Sequence, residues 1–338
     1  MKKRFLITSI IALSSYASAS LVDDAKKAGF TPIPTDIKAL MKLVDNPKNS
    51  LNKAKVELGK ALFFEPRLSK SNLISCNTCH NLATGGVDGV EAAVGHKWTA
   101  NPHHLNSPTV YNAVFMEKQF WDGREPDLEA QAQGPMQAAP EMAISKEMAV
   151  KRISSMSGYK EQFKNAFNDD NITFKKIADA IGAFERTLVT PSRFDKFLHG
   201  DKKALSKEEQ EGLKTFIAKG CVSCHTGVGI GGGMQKFPLV KPYKYAKVGD
   251  FKGDKNGMVK TPTLRNITQT APYFHNGAVW SLEEAVKIMG ETQLGMELND
   301  ADTKSIVTFL KSLDGEMPNI TYPHLPAVTA TTPKPEMK

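Results

Sequence analysis

The chain has 338 residues, of which 41% are hydrophobic and 24% charged, enough apolar content for two compact domains and too much for a disordered chain. Its formal charge of +8 is spread over many lysines, with none of the basic runs interleaved with aromatics that mark nucleic-acid binding, so that class is excluded. Beyond the first twenty residues no stretch is apolar enough to insert stably in a membrane.

Met1-Lys2-Lys3-Arg4 followed by the short apolar run Phe5 to Leu13 and by Ala17-Ser18-Ala19 has the form of a secretory signal cut after Ala19. The expected mature chain is exported to the periplasm. Thr35 to Val44 and Leu51 to Phe63 carry helical periodicity, the second with Val56, Leu58, Ala61 and Leu62 available for burial. Ser71 to Thr109, rich in Gly, Asn, His and Pro, reads as loop. Thr173 caps a helix with Ile177, Ile181, Phe184 and Leu188 on one face, and Thr190-Pro191-Ser192 ends it. Ser206-Lys207-Glu208-Glu209 and Ser281-Leu282-Glu283-Glu284 have the capping-box pattern. The first leads into Leu213, Phe216 and Ile217, with Gly220 as terminator; a last helix carries Ile306, Phe309, Leu310 and Leu313. From Pro318 the tail is rich in Pro and Thr, either extended packing or disordered.

The expected organisation is mainly α: a signal over 1–19, domains over 20–190 and 191–317, and a tail over 318–338 that packs back on the N-terminal domain. No convincing run of alternating strand residues interrupts it.

All four cysteines fall in two motifs of one kind, Cys76-Asn77-Thr78-Cys79-His80 and Cys221-Val222-Ser223-Cys224-His225. In C-x-x-C-H two thiols add to the haem vinyl groups and the adjacent His becomes an axial iron ligand. A shared zinc site needs the pairs about 15 to 20 residues apart, whereas these start 145 apart (221 − 76). A thioredoxin-like reading needs a βαβ setting, which is missing. Two covalent haems, one per domain, with His80 and His225 as proximal ligands, follow from the motifs.

The sixth ligands decide whether each iron can do chemistry or only pass electrons. The loop after His80 offers His96, His103 and His104. Met289 shares a helix face with Leu282, Ala285 and Val286, and spacing alone favours a core methionine.

Several blocks in order between about residues 50 and 315 resemble the bacterial di-haem cytochrome c peroxidases: Leu73 to His80, Asn106 to Val110, Phe120-Trp121-Asp122-Gly123-Arg124, Gln131 to Met142, Thr270 to Gly277, and Ile288-Met289-Gly290. The resemblance implies two cytochrome c-like domains that meet at a haem-haem interface, a peroxide site at the N-terminal haem and an electron-transfer site at the C-terminal haem. It casts His96 as the detachable ligand of the first iron, with His103 or His104 as substitutes, and Met289 as distal ligand of the second. It further casts Glu141 as catalytic acid/base, Gln131 and Pro135 as its neighbours in the distal loop, and Trp121 as the residue between the haems. Asn106, Thr270 and Pro272 become calcium ligands. Without it, Glu141 after Pro140 reads as an exposed acid before a helix, and Trp121 as core packing.

The activity so implied is reduction of hydrogen peroxide by a small soluble donor, a monohaem cytochrome c or a cupredoxin, in a homodimer activated by reduction and calcium. The rivals are a MauG-like oxidase of a protein partner, in which Tyr takes the place of Met289, and a plain di-haem electron carrier, which needs no Gln131, Pro135, Glu141 loop.

Overall fold

The computed structural model describes residues 20–337, so the signal expected over residues 1–19 lies outside the described residues. Helices and long loops make up the fold, with one two-stranded antiparallel ribbon that pairs Met234 with Lys260. None of the helices is long and apolar enough to cross a membrane, among the described residues.

Each half is built on a pair of crossed helices. In the first, Lys53–Phe63 starts at Asn52, whose side chain accepts from Lys55 N, and buries Leu58, Ala61, Leu62 and Phe63. It crosses Phe174–Glu185, capped by Thr173 as expected. Gly59 lies against the Ala180 carbonyl and Phe184, where a methyl group would overlap backbone atoms. Lys146–Ser154 and Ser157–Phe167 close this core with Ile153, Tyr159 and Phe163.

In the second half Lys207–Ala218 carries the expected capping box between Ser206 and Glu209. It crosses Asp300–Leu310, and Gly212 lies against the Ser305 carbonyl and Phe309. Phe30, Phe194, Phe216 and Phe309 fill the space, for example Phe194 to Phe309 at 5.2 Å and 80°.

The chain ends are exchanged between the halves. Leu21–Lys27, with a capping box of Ser20 and Asp23, places Val22 and Ala25 in the second core, and Phe30 follows them. Ile33 N then donates to Asp195 Oδ1 at 2.8 Å. Asp195 is also gripped by buried Arg265 through two 2.8 Å bonds. At the other terminus Met317, Ile320 and Leu325 pack on the first core. Arg67 reaches Pro326 O at 2.7 Å, and buried Arg152 reaches Lys334 O at 3.1 Å.

A second relation joins the halves. Residues 106–128 and 260–282 follow the same path at a constant offset of 154. Asn112 and Asn266, both with φ 60°, open matching turns, and Phe120 and Phe274 (φ 66° and 70°) precede Gly123 and Gly277 (φ 66° and 59°). The bridges Gln119 to Glu125 and Tyr273 to Val279 correspond, as do the caps Asp127 and Ser281. Asn112 and Asn266 both donate to the Thr190 hydroxyl, at 2.7 and 2.9 Å. The repeat also makes the contact between halves reciprocal: Asn106 N donates to His275 O at 2.9 Å and Lys260 N to Trp121 O at 2.8 Å, and the offset pairs Asn106 with Lys260 and Trp121 with His275.

Candidate haem sites and the wall between them

The first Cys-His motif folds as one helical turn, Cys76–Cys79, held by mutual bonds of Ser75 and Thr78; His80 N closes it on Cys76 O at 2.9 Å. That turn aims Cys76, Cys79 and His80 into a cavity of about 410 Å³. Gln131, Pro135 and Glu141 form part of the same wall, so the structure brings the expected distal loop and the first motif together. Glu141 is half-buried, and burial pushes its carboxyl upward against the pull of Arg124.

Burial, reinforced by the carboxylates of Asp88 and Glu141, pushes the Cys79 thiol up to about 12. Desolvation holds the His80 imidazole below its ordinary range, in the neutral form able to ligate a metal. Nδ1 of His80 and of His96 are buried without a hydrogen-bond partner among the described residues. Unpaired thiols, a neutral histidine and a largely apolar recess fit a covalently attached haem.

His96 is buried but forms no part of this cavity's wall. It sits in a turn with Lys97 and Trp98 at φ 63° and 56°, its backbone N donating to Glu141 O at 2.6 Å. Gly95 makes that approach possible, since a side chain there would overlap the Pro140 carbonyl. His103 does border the cavity, with Nδ1 3.0 Å from both Asp250 oxygens, and His104 lies 3.9 Å from Glu91.

Gly220, at φ 84°, turns the chain into the second motif. Cys221, Cys224 and His225 border a smaller cavity of about 160 Å³. Met289, on helix Leu282–Leu294, borders it too. Burial pushes His225 down to about 4 and Cys221 up to about 11. The offset of 154 pairs Met289 with Pro135: both stand eight residues after their caps (289 − 281 and 135 − 127). One cavity therefore has a thioether where the other has a proline ring with no donor atom.

The two cavities share a wall that includes Trp121, Lys260, Pro262, Ile267, Tyr273 and Phe274. Trp121 is buried, and its indole donates to Asn106 O at 2.9 Å. Asn106, Thr270 and Pro272 all border the first cavity, with Asn106 Nδ2 donating to Val90 O at 2.9 Å. No cluster of three or more His, Cys, Asp or Glu side chains stands ready for a metal among the described residues, which leaves a hard cation to amide, carbonyl and hydroxyl oxygens.

Two cavity residues escaped the reading of the sequence. Glu185 ends helix Phe174–Glu185 with a buried, unpartnered Oε2, and burial together with Glu129 raises it to about 8. Nothing distinguishes it in sequence from a helix-end surface acid. Lys260 borders both cavities, and its repeat partner Asn106 was the signal that could have found it.

The family profile for di-haem cytochrome c peroxidase matches residues 53–203 and the cytochrome c profile residues 209–314. The cytochrome c551 peroxidase of Nitrosomonas europaea is 45% identical over 99% of this chain and 98% of its own length. The chain belongs to the di-haem cytochrome c peroxidase family. The cytochrome c551 peroxidase of Pseudomonas aeruginosa is 44% identical over 94% of each chain, and the MauG protein of Methylorubrum extorquens 34% over 84% of this chain and 85% of its own. A solved MauG-like protein associated with microbial copper homeostasis superposes with a TM-score of 0.71 at 27% identity, covering 80% of this chain and 93% of that one. As a member of this family the chain is a haem oxidoreductase acting on peroxide, with two covalently bound haem c groups and a mainly α fold of two cytochrome c-like domains.

Proposed function

We propose that this peroxidase works in the periplasm, reducing hydrogen peroxide to two waters with two electrons that enter at the second site from a monohaem cytochrome c or a cupredoxin. The observation that carries the reading is the inequality of two otherwise repeated sites: Pro135 and Glu141 border the larger cavity where Met289 borders the smaller. Haem would be held through Cys76, Cys79 and His80 and through Cys221, Cys224 and His225, and would supply one-electron redox chemistry at both sites.

Pro135 offers no ligand atom to the first site, whereas Met289 would help to hold the haem of the second, a donor that suits that site to electron storage. Glu141 takes a proton from one peroxide oxygen and returns it to the other, so that the O–O bond breaks with water as the leaving group. Gln131 holds the peroxide through its amide. Trp121 lies in the wall through which electrons cross from the second site to the first. His96, outside the cavity wall in this arrangement, would reach the first site as its detachable ligand only in the resting enzyme and would leave it on reduction of the second site, with calcium on Asn106, Thr270 and Pro272 holding the open form. The family functions as a homodimer by resemblance, and the same state is proposed here.

The MauG-like alternative is disfavoured by Met289 and by the lower identity to MauG than to the two peroxidases. A plain electron carrier leaves the Gln131, Pro135, Glu141 wall without purpose. The test is steady-state oxidation of a reduced cytochrome by peroxide, with and without pre-reduction and calcium. Glu141→Gln is expected to lower turnover by about 10²- to 10⁴-fold with both haems retained; turnover at the level of the unaltered enzyme sinks the assignment.

A further inference from the structure

Lys260 closes the short strand Met258–Lys260 and borders both cavities beside Trp121. Its side chain is buried, at 6% exposure. No carboxylate among the described residues pairs with its ammonium. Asp122 is the acid that acts on it, and Asp122 is already bonded to Arg124 at 2.8 Å. Desolvation pushes the amine down to about 8 against the pull of Asp122.

A buried ammonium without an anion is strongly unfavourable, and folded proteins either pair such groups or neutralise them. The repeat sharpens the anomaly. At the corresponding place the first half has Asn106, a neutral amide whose NH₂ group is satisfied by Val90 O. The second half has instead put a cation at the junction, and among the described residues no carboxylate is bonded to it. Each haem would bring two propionate carboxylates into cavities that Lys260 borders, so the cofactors carry the anions that no side chain here provides.

We propose that Lys260 is a cofactor-pairing residue: its ammonium binds haem carboxylates at the wall common to the two sites, and its charge holds the haem reduction potentials up. The direction follows from charge alone. Reduction lowers the charge of each iron by one unit, so a nearby fixed cation favours the reduced state, most strongly in a dry, low-dielectric wall. Because Lys260 N is bonded to Trp121 O, the same residue ties the potential of the sites to the position of the residue between them. Lys260 is thereby a positioning and potential-setting residue and takes no part in proton transfer to peroxide.

The experiment is a redox titration of the holo-protein, following each haem spectroscopically, on the unaltered chain, Lys260→Met and Lys260→Arg. In Lys260→Met the ratio of reduced to oxidised haem at a fixed solution potential should fall tenfold or more for at least one haem, about 59 mV for a one-electron couple. Lys260→Arg keeps the charge and should stay within about threefold of the unaltered chain, about 28 mV on the same scale. Unchanged potentials in Lys260→Met overturn the proposal, as do equal falls in both variants, which would mean packing and not charge. If Lys260→Met fails to load two haems, Lys260→Gln is titrated against the same criteria. The proposal rests on occupancy by two haems and not on the peroxide mechanism. Haem content and peroxide turnover of the unaltered chain report on those two points separately.

Discussion

Glu141 and Glu185 border the first cavity and His96 lies just outside its wall, three polar residues disposed in three different ways. Glu141 borders the cavity with its carboxyl, while its carbonyl receives the backbone N–H of His96. The loop that carries the proposed detachable ligand is thus bonded to the residue proposed to handle the proton. His96→Gly is expected to give an enzyme active without prior reduction; a variant that still requires it, in the peroxide assay run on oxidised protein, moves the ligand to His103 or His104. Glu185 has the opposite character, a buried acid raised from 4.5 to about 8 by burial and by Glu129. Between those two values the unfolded chain ionises while the folded chain keeps the proton, so stability falls as pH rises and levels off above the upper value. Glu185→Gln should remove this dependence, its stability relative to the unaltered chain improving by at most about 1.4 kcal/mol per pH unit through the window. Denaturant unfolding at about pH 5 and about pH 8 measures it, and a constant difference between the two would refute the assignment.

The crossed helix pairs depend on two glycines. A methyl group at Gly59 would meet the Ala180 carbonyl, and one at Gly212 the Ser305 carbonyl. Gly59→Ala and Gly212→Ala should each cost about 1–3 kcal/mol by overpacking, read as a lower denaturation midpoint. These elements also explain what was legible. The Thr173 and Ser206 helices announce themselves by capping side chains followed by apolar residues at helical spacing. Ser157–Phe167 has no such signal, because Met156 stands at its cap and gives no side-chain bond. The haem motifs were legible because thioether and iron chemistry require adjacent residues. The Trp121 and Glu141 roles were not, because they rest on which loops meet across a cavity, and only the family resemblance supplied them. The offset of 154 stayed hidden because few side chains repeat: Pro108 and Pro262, Thr109 and Thr263, Asn112 and Asn266, Phe120 and Phe274, Gly123 and Gly277, Leu128 and Leu282. The repeat is carried by backbone geometry at residues with positive φ.

Over the whole molecule, the exchange of chain ends means that neither half is built from one continuous stretch. The Leu21–Lys27 helix completes the second core, and the segment after Met317 covers the first. Removing residues 318–338 takes away the partners of Arg67 and Arg152 at Pro326 and Lys334. Bonds to charged groups contribute about 1.5–3 kcal/mol each, so the truncated chain should lose roughly 3 kcal/mol or more of stability. A thermal melt decides this, and an unchanged midpoint would show that the tail is passive.

Trp121 stands in the middle of an unbroken line of bonds between the halves, from Lys260 N to Trp121 O, from the Trp121 indole to Asn106 O, and from Asn106 N to His275 O. The residue proposed to carry charge is therefore also fastened at both ends to the frame. A shift of one half against the other cannot lengthen either outer bond without disturbing the indole between them. If Trp121 conducts between the two sites as proposed, it is also a strain gauge, since any change in how the halves are seated reaches the indole first.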